Sequence, residues 1–245
     1  MNWRELKDGK VKTIGGAASG GLDSCTVTHW LRSKGLEVRC YTVDLGQPDE
    51  EDLEAVKDRM LACGAAVAEV LPGRQALAVA GLKVIQAQAR YEGGYWNTTG
   101  IARPITVRAI LPELQKRDIG VLFHGATGRG NDQVRFQLAC NILDPALEVY
   151  APWRDPEFVA EFSGRQQMIE YCQAHELPIK PQDEARYSTD SNFLGLTHEA
   201  GDLEDVGISP FFLEPGMGVW PWEAPDQHEV VSVRWEEGVP VALNG

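Results

Sequence analysis

Two glycine-rich stretches constrain what this chain can become. "GGAASGGLDSC" (Gly15 to Cys25) and "HGATGRGNDQVRF" (His124 to Phe136) each follow a predicted strand and lead into a run with helical spacing. Before the first stands "KVKTI", a weak strand; after it Val27, Trp30 and Leu31 make one face of a helix that Gly35 ends. Before the second stands "IGVLFHG", a strand, and a helix is predicted near Asp132 to Leu143. A strand that turns tightly into a helix, twice over, is the building unit of a parallel sheet.

The segments between them agree. "LEVRCYTVDLG" (Leu36 to Gly46) reads as a buried strand. In "QPDEEDLEAVKDRMLACGA", Pro48 and the four acids after it are expected to fill the first turn of a helix, with Leu53, Val56, Met60 and Leu61 on one face and Gly64 as the stop. "AVAEVL" predicts a strand, residues 74–90 a helix, "RPITVRAILPELQKR" a helix bent at Pro112, and "LEVYAPW" a strand. The expected fold class is therefore α/β: a doubly wound parallel sheet that binds ligands at the carboxyl ends of its strands. From Arg186 onward Gly, Pro and Trp accumulate, and "EVVSVRWEEGVPVALNG" predicts a β-hairpin. The expected division is a large domain over 1–176 and a smaller α+β region over 177–245.

Composition narrows the functional classes. A net charge of -13 repels phosphate backbones, and no Lys/Arg cluster offsets it, so nucleic acid is not an expected partner. No apolar run is long enough to cross a bilayer, and "MNWRELKDGK" lacks the apolar centre of a secretory signal, so no membrane is expected and a cytoplasmic location is. The five cysteines show no spacing suited to zinc or to a disulfide framework, which leaves reduced thiols and no metal ligands.

Glycines at a strand-to-helix turn let backbone amides approach an anion, and the helix N-terminus favours negative charge. The first stretch lacks the lysine of a Walker A loop and does not match G-x-G-x-x-G. What it contains is Ser19-Gly20-Gly21-Leu22-Asp23-Ser24; the alternative to an anion loop is a turn capped by serine or aspartate. In the second stretch Asn131 and Arg135 are four apart, so on a helix they share a face and could grip one carboxylate; the alternative is an N-cap by Asn131 or Asp132 followed by a solvated arginine.

The Ser-Gly-Gly-x-Asp-Ser pattern resembles the pyrophosphate loop of the ATP pyrophosphatase (HUP-like) superfamily. Taken with "YWNTTGIARP", "HGATGRGNDQVRF", "APWRDPEF", "STDSNFLGLTHEAGDLED" and "VPVALNG", in that order, the chain resembles the argininosuccinate synthase family along nearly its whole length. The resemblance implies a nucleotide-binding domain followed by a partial synthetase region, and a ligase that joins citrulline to aspartate, releasing AMP and pyrophosphate. It assigns Ala17, Ala18, Ser19, Gly20, Gly21, Leu22, Asp23, Ser24 and Val43 to ATP, with Gly125, Thr127, Asp132, Ser188 and Asp190 adding to that pocket. Thr127, Asn131 and Asp132 are expected to hold aspartate; Tyr95, Asn131, Arg135, Ser188, Thr197 and Glu199 are expected to hold citrulline. Asp23, Asp132 and Arg135 are the expected catalytic residues, with magnesium sharing the phosphate charge. For "STDSN" the alternative is a serine-capped turn, and for Tyr95 a buried aromatic with a satisfied hydroxyl.

The chain departs from the family pattern at Ala18, usually aromatic, at Ser24-Cys25, usually Thr-Ser, and at Gly100, often serine. Cys25 at a helix N-terminus is either a small inert residue or an activated thiol. The family continues past "VALNG" into a segment with a further glutamate and tyrosine for citrulline and a long helix used in assembly. An exposed final hairpin is therefore expected to be covered by another copy or by a second chain. Other readings stay open: aspartate joined to a different acceptor, a noncatalytic nucleotide-binding subunit, and a relative of the transfer-RNA-modifying pyrophosphatases.

Overall fold

A computed structural model describes residues 2–245 apart from 49, 51, 92, 129 and 180–185. By contacts the chain divides into two units. The first comprises Met1–Asp44, Glu50–Gly73 and Arg103–Glu184; the second comprises Leu45–Asp49, Arg74–Ala102 and Ala185–Gly245. Residues 45–49 and 74–102 thus belong with the C-terminal residues.

The first unit is built on a parallel sheet of β1 (Thr13–Ala17), β2 (Glu37–Asp44), β3 (Val67–Pro72), β4 (Val121–His124) and β5 (Glu148–Tyr150), in the order β3-β2-β1-β4-β5. The α/β reading holds. The chain steps outward from β1 to β3, then returns to place β4 on the other side of β1. The carboxyl ends of β1 and β4 therefore form the switch point at which such sheets take their ligands. Around the sheet are α1 (Trp3–Asp8), α2 (Leu22–Ser33), α3 (Leu53–Ala62), α5 (Ala102–Gln115), α6 (Asp132–Leu143), α7 (Pro156–Glu161) and α8 (Arg165–Ala174); α4 (Arg74–Gln86) lies in the second unit.

Three expectations shift. β1 runs through Gly15 and Gly16 to Ala17 and does not stop at Ile14, so the first three residues of the first glycine-rich stretch are strand. The reason is packing on both faces: a Cβ on Gly15 would collide with Leu114 of α5, and one on Gly16 with the Phe123 carbonyl and ring. α3 begins at Leu53, capped by Asp52, whose Oδ1 accepts from the amides of Glu54 at 3.0 Å and Ala55 at 3.2 Å. Pro48 and Glu50 consequently precede the helix, while Asp49 and Glu51 lie outside the described residues. α4 ends at Gln86, four residues short of the expected 90.

On one face of the sheet a core of Ile14, Val27, Trp30, Leu31, Phe123, Phe158 and Phe162 is almost wholly buried. Asp155 closes it. This carboxylate is 1% exposed; Oδ2 accepts from the Trp3 amide at 2.6 Å and the Tyr150 hydroxyl at 2.7 Å, while Oδ1 caps α7 through the Glu157 amide at 2.9 Å. Asp155→Ala strands three donors, two of them backbone amides. It is expected to lower unfolding free energy by about 3 kcal/mol, read as a shifted urea midpoint with an unchanged slope.

Among the described residues the second unit contains α4, a hairpin of β6 (Ser188–Asn192) and β7 (Gly195–Glu199), 3-10 turns at Gly201–Glu204 and Pro210–Phe212, and the final hairpin of β8 (Val233–Glu236) and β9 (Val239–Leu243). That last hairpin was expected, and Glu237 and Gly238 both take the positive φ that its tight turn requires. Asn192, fully buried, ties the β6/β7 turn down, donating to the Thr98 carbonyl at 3.0 Å and accepting from the Leu194 amide at 2.9 Å. No helix among the described residues is long and apolar enough to cross a membrane.

Candidate active site

β1 delivers Ala17 to the switch point, and the chain turns through Ala18, Ser19, Gly20 and Gly21 before α2 begins at Leu22. Ala18 is anchored from β2: its amide donates to the Tyr41 carbonyl at 3.1 Å and its carbonyl accepts from the Thr42 hydroxyl at 2.8 Å. Arg59 of α3 donates to the Gly20 carbonyl at 2.9 Å. Gly20 has φ +77°, and a Cβ there would lie 2.7 Å from Arg59 Nη1 and 2.8 Å from Val56 Cγ1, so only glycine fits. Ser24 Oγ accepts from the Ser19 amide at 3.0 Å and sits 3.2 Å from Ser19 Oγ. Gly21 is the N-cap of α2 and supplies no side-chain cap, and a helix N-terminus of this kind favours an anion.

Asp23 is held by the Trp153 indole, which donates to Oδ1 at 2.7 Å. Burial pushes its carboxyl above the usual value, and the Trp153 bond and the Arg165 charge only partly oppose this. Leu22 packs partly against the core, and Val43, near the end of β2, is buried. Cys25 is fully buried, and hydrogen bonding with Cys63 and then burial hold its thiol above the ordinary value; such burial suits the small inert residue of the two alternatives.

The second loop leaves β4 beside the first. A Cβ on Gly125 would start 3.3 Å from Cβ of Asp23, so the two glycine-rich turns adjoin. Thr127 is exposed, and Arg129 lies outside the described residues. Gln133, buried in α6, ties the loop by donating to the carbonyls of Gly128 at 2.7 Å and Gly130 at 3.2 Å, and its own oxygen accepts from Arg154 at 3.2 Å. Asn131 is the N-cap of α6 by position, yet its side chain makes no capping bond.

Asp132 stands between two arginines. Arg103 Nη2 donates to Oδ2 at 2.6 Å and Arg135 Nη1 to Oδ1 at 2.7 Å, all three side chains being only a fifth to a quarter exposed. Arg135 is thus no solvated arginine. Burial pushes the Asp132 carboxyl up, but the charge and hydrogen bond of Arg103, joined by Arg135, outweigh it and hold the group below its ordinary 3.8.

In the second unit "STDSN" is a strand. Its antiparallel register sets Ser188 opposite Glu199 and Asp190 opposite Thr197. Residues two apart on a strand, and residues directly opposite across a ladder, point to one side. All four expected residues therefore share one face of the hairpin. Tyr95 is partly buried with its hydroxyl 2.8 Å from Thr99 Oγ1, in keeping with the satisfied-aromatic alternative.

The expected residues accordingly divide: Ala17 to Ser24, Val43, Gly125, Thr127, Asn131, Asp132 and Arg135 belong to the first unit, and Tyr95, Ser188, Asp190, Thr197 and Glu199 to the second. Sequence reasoning did not name Arg59, Arg103, His124, Gln133 or Trp153, whose roles rest mostly on partners distant in sequence. Among the described residues no group of three or more His, Cys, Asp or Glu could hold a metal ion.

Among solved structures, an NMN synthetase from Francisella tularensis aligns with a TM-score of 0.44 at 10% identity, covering 71% of this chain and 66% of that one, a likeness too distant to bear on function. An argininosuccinate synthase of Rhodopirellula baltica is 43% identical over 231 residues, which make up 94% of this chain and 57% of that relative's length. A family model described as the arginosuccinate synthase N-terminal HUP domain matches residues 14–178, a span that takes in the parallel sheet from Ile14 onward and both glycine-rich loops. The chain belongs to the argininosuccinate synthase family.

Proposed function

We propose that the chain acts as an ATP-dependent carbon-nitrogen ligase that joins aspartate to citrulline through an adenylated intermediate. The observation that carries this reading is the junction of two glycine-rich turns at the switch point, one leading into a helix N-terminus without a side-chain cap and the other bearing Asp132 between two arginines. The first turn suits the departing β- and γ-phosphates. With these held, the ureido oxygen of citrulline attacks the α-phosphate and pyrophosphate leaves. The aspartate amine then displaces AMP. No side-chain nucleophile is needed, so the protein contributes placement and charge.

Residues keep the roles that the resemblance assigns. The turn from Ala17 to Ser24, with Val43 and Gly125, holds nucleotide, and Thr127, Asn131 and Asp132 hold aspartate. For citrulline the resemblance assigns Arg135 in the first unit and Tyr95, Thr197 and Glu199 in the second, and for citrulline and nucleotide Ser188 and Asp190. Asp23, secured by Trp153, fixes the phosphate turn. Magnesium, which favours phosphate oxygens and keeps several waters, would accompany the ATP and neutralise its charge.

Arg135→Ala is expected to weaken citrulline binding and slow turnover together, each by about 10- to 100-fold, as measured by steady-state kinetics over varied citrulline. The reading as a whole is tested by incubating the purified chain with ATP, magnesium and aspartate, with citrulline or a panel of other ureido and carboxylate acceptors, and identifying products by mass. Argininosuccinate, AMP and pyrophosphate in equal amounts are expected. AMP formed only with another acceptor overturns citrulline, and ATP binding without pyrophosphate release in any mixture overturns the ligase.

A further inference from the structure

His124 ends β4 and is 1% exposed, its ring stacked on Phe136 at 4.6 Å and 13°. Its Nδ1 lies 3.2 Å from the Ala126 amide, which can only donate, so Nδ1 accepts and the ring proton sits on Nε2. Nε2 is buried and has no hydrogen-bond partner among the described residues. A tautomer that leaves an N–H buried and unpaired is unfavourable by itself, and such a group calls for an explanation. The Ala126 bond supplies one. It ties the chain back to the strand end at Ala126, between Gly125 and Thr127, where the second glycine-rich turn begins.

We propose that His124 is a positioning residue for that turn: its neutral imidazole pins the Ala126 amide and thereby aims Gly125 and Thr127 at nucleotide and aspartate. This rests on the reading of the turn as a substrate loop. Three neighbours define its setting. Phe136 of α6 covers the ring face, Arg103 of α5 disfavours a second ring proton, and Asp132 of α6 weakly favours one. Burial is the largest influence, and together they lower the His124 pKa from 6.5 to about 4, so that the acceptor at Nδ1 persists at neutral pH.

Two substitutions separate the ring nitrogens. Asparagine places an oxygen near Nδ1 and can still accept from Ala126, whereas glutamine reaches the Nε2 position and leaves that amide bare. With magnesium ATP and with L-aspartate as probes, calorimetry is expected to find His124→Asn within about threefold of wild type and His124→Gln weaker by about tenfold or more. Thr127→Ala serves as the control on the turn. If Thr127→Ala weakens binding while His124→Gln binds as wild type, the proposal is wrong; if Thr127→Ala changes neither ligand, it is the substrate-loop reading that fails.

Nitrogen-15 spectra of the wild-type protein at pH 7 decide the matter even if both variants unfold. They are expected to show a neutral ring with its proton on Nε2 and an Ala126 amide protected from exchange. A proton on Nδ1, or a freely exchanging Ala126 amide, overturns the assignment.

Discussion

Gly16→Val is expected to yield no folded protein. β1 is the middle strand of five, and the space a side chain would need at position 16 is filled by the carbonyl and ring of Phe123 on the neighbouring strand. Overpacking a core costs about 1–3 kcal/mol when side chains can yield. Here the obstruction includes a main-chain carbonyl on a paired strand, and retreat would part β1 from β4. The cost then approaches the whole stability of a domain, about 5–15 kcal/mol. Far-UV circular dichroism and urea titration check this, with Gly120→Ala as the comparison: no atom lies within 4 Å of a Cβ there, and a change within about 0.5 kcal/mol is expected. A stable, cooperative Gly16→Val protein would show the β1–β4 contact to be looser than described.

Asp132→Ala carries the largest expected functional effect short of unfolding. It removes the carboxylate shared by Arg103 and Arg135, so both guanidinia lose a charged partner in a site that is three-quarters buried. Aspartate and ATP are each expected to bind about 100-fold more weakly, while stability falls by about 2 kcal/mol, less than for a fully enclosed pair because water still reaches the site. Asp132→Asn keeps the shape and removes the charge, and recovery of less than a tenth of the loss would assign the effect to charge.

The pH dependence has a definite sign. Because the folded carboxyl titrates below its ordinary 3.8, its contribution to stability is present above that value and disappears as pH falls through the lower folded one. Urea midpoints of wild type and Asp132→Asn should therefore converge in acid.

Much of this was legible in the sequence, and the exceptions have physical causes. Strand-to-helix alternation stood out because each element has its own period, and both glycine turns fell where the sheet reverses its order. β1 lies three residues later than its apolar pattern predicts because glycine has poor strand propensity; only Leu114 and Phe123, about a hundred positions away, make it necessary there. α1 and α7 are too short to show a helical period, and their local signals are a capping box of Asn2 and Glu5 in one and, in the other, the N-cap Asp155 followed by Pro156 at the first helical position. "STDSN" carries residues typical of turns, and the ladder that makes it a strand comes from its pairing with Gly195–Glu199. Arg103 and Trp153 could not be read locally, since their carboxylate partners lie 29 and 130 residues away.

The interleaving of the two units has a consequence for synthesis on the ribosome. The chain passes from one unit to the other at 44/45, 49/50, 73/74, 102/103 and 184/185. The five-stranded sheet is complete once Tyr150 has been made, and its covering helices once Ala174 has. Residues 45–49 and 74–102, although translated early, wait for the stretch beyond 185 before their own unit can close. A released chain that stops near residue 180 should therefore protect the sheet from protease while α4 is still cut, giving an order of maturation in which the phosphate turn is ready before the polar hairpin exists.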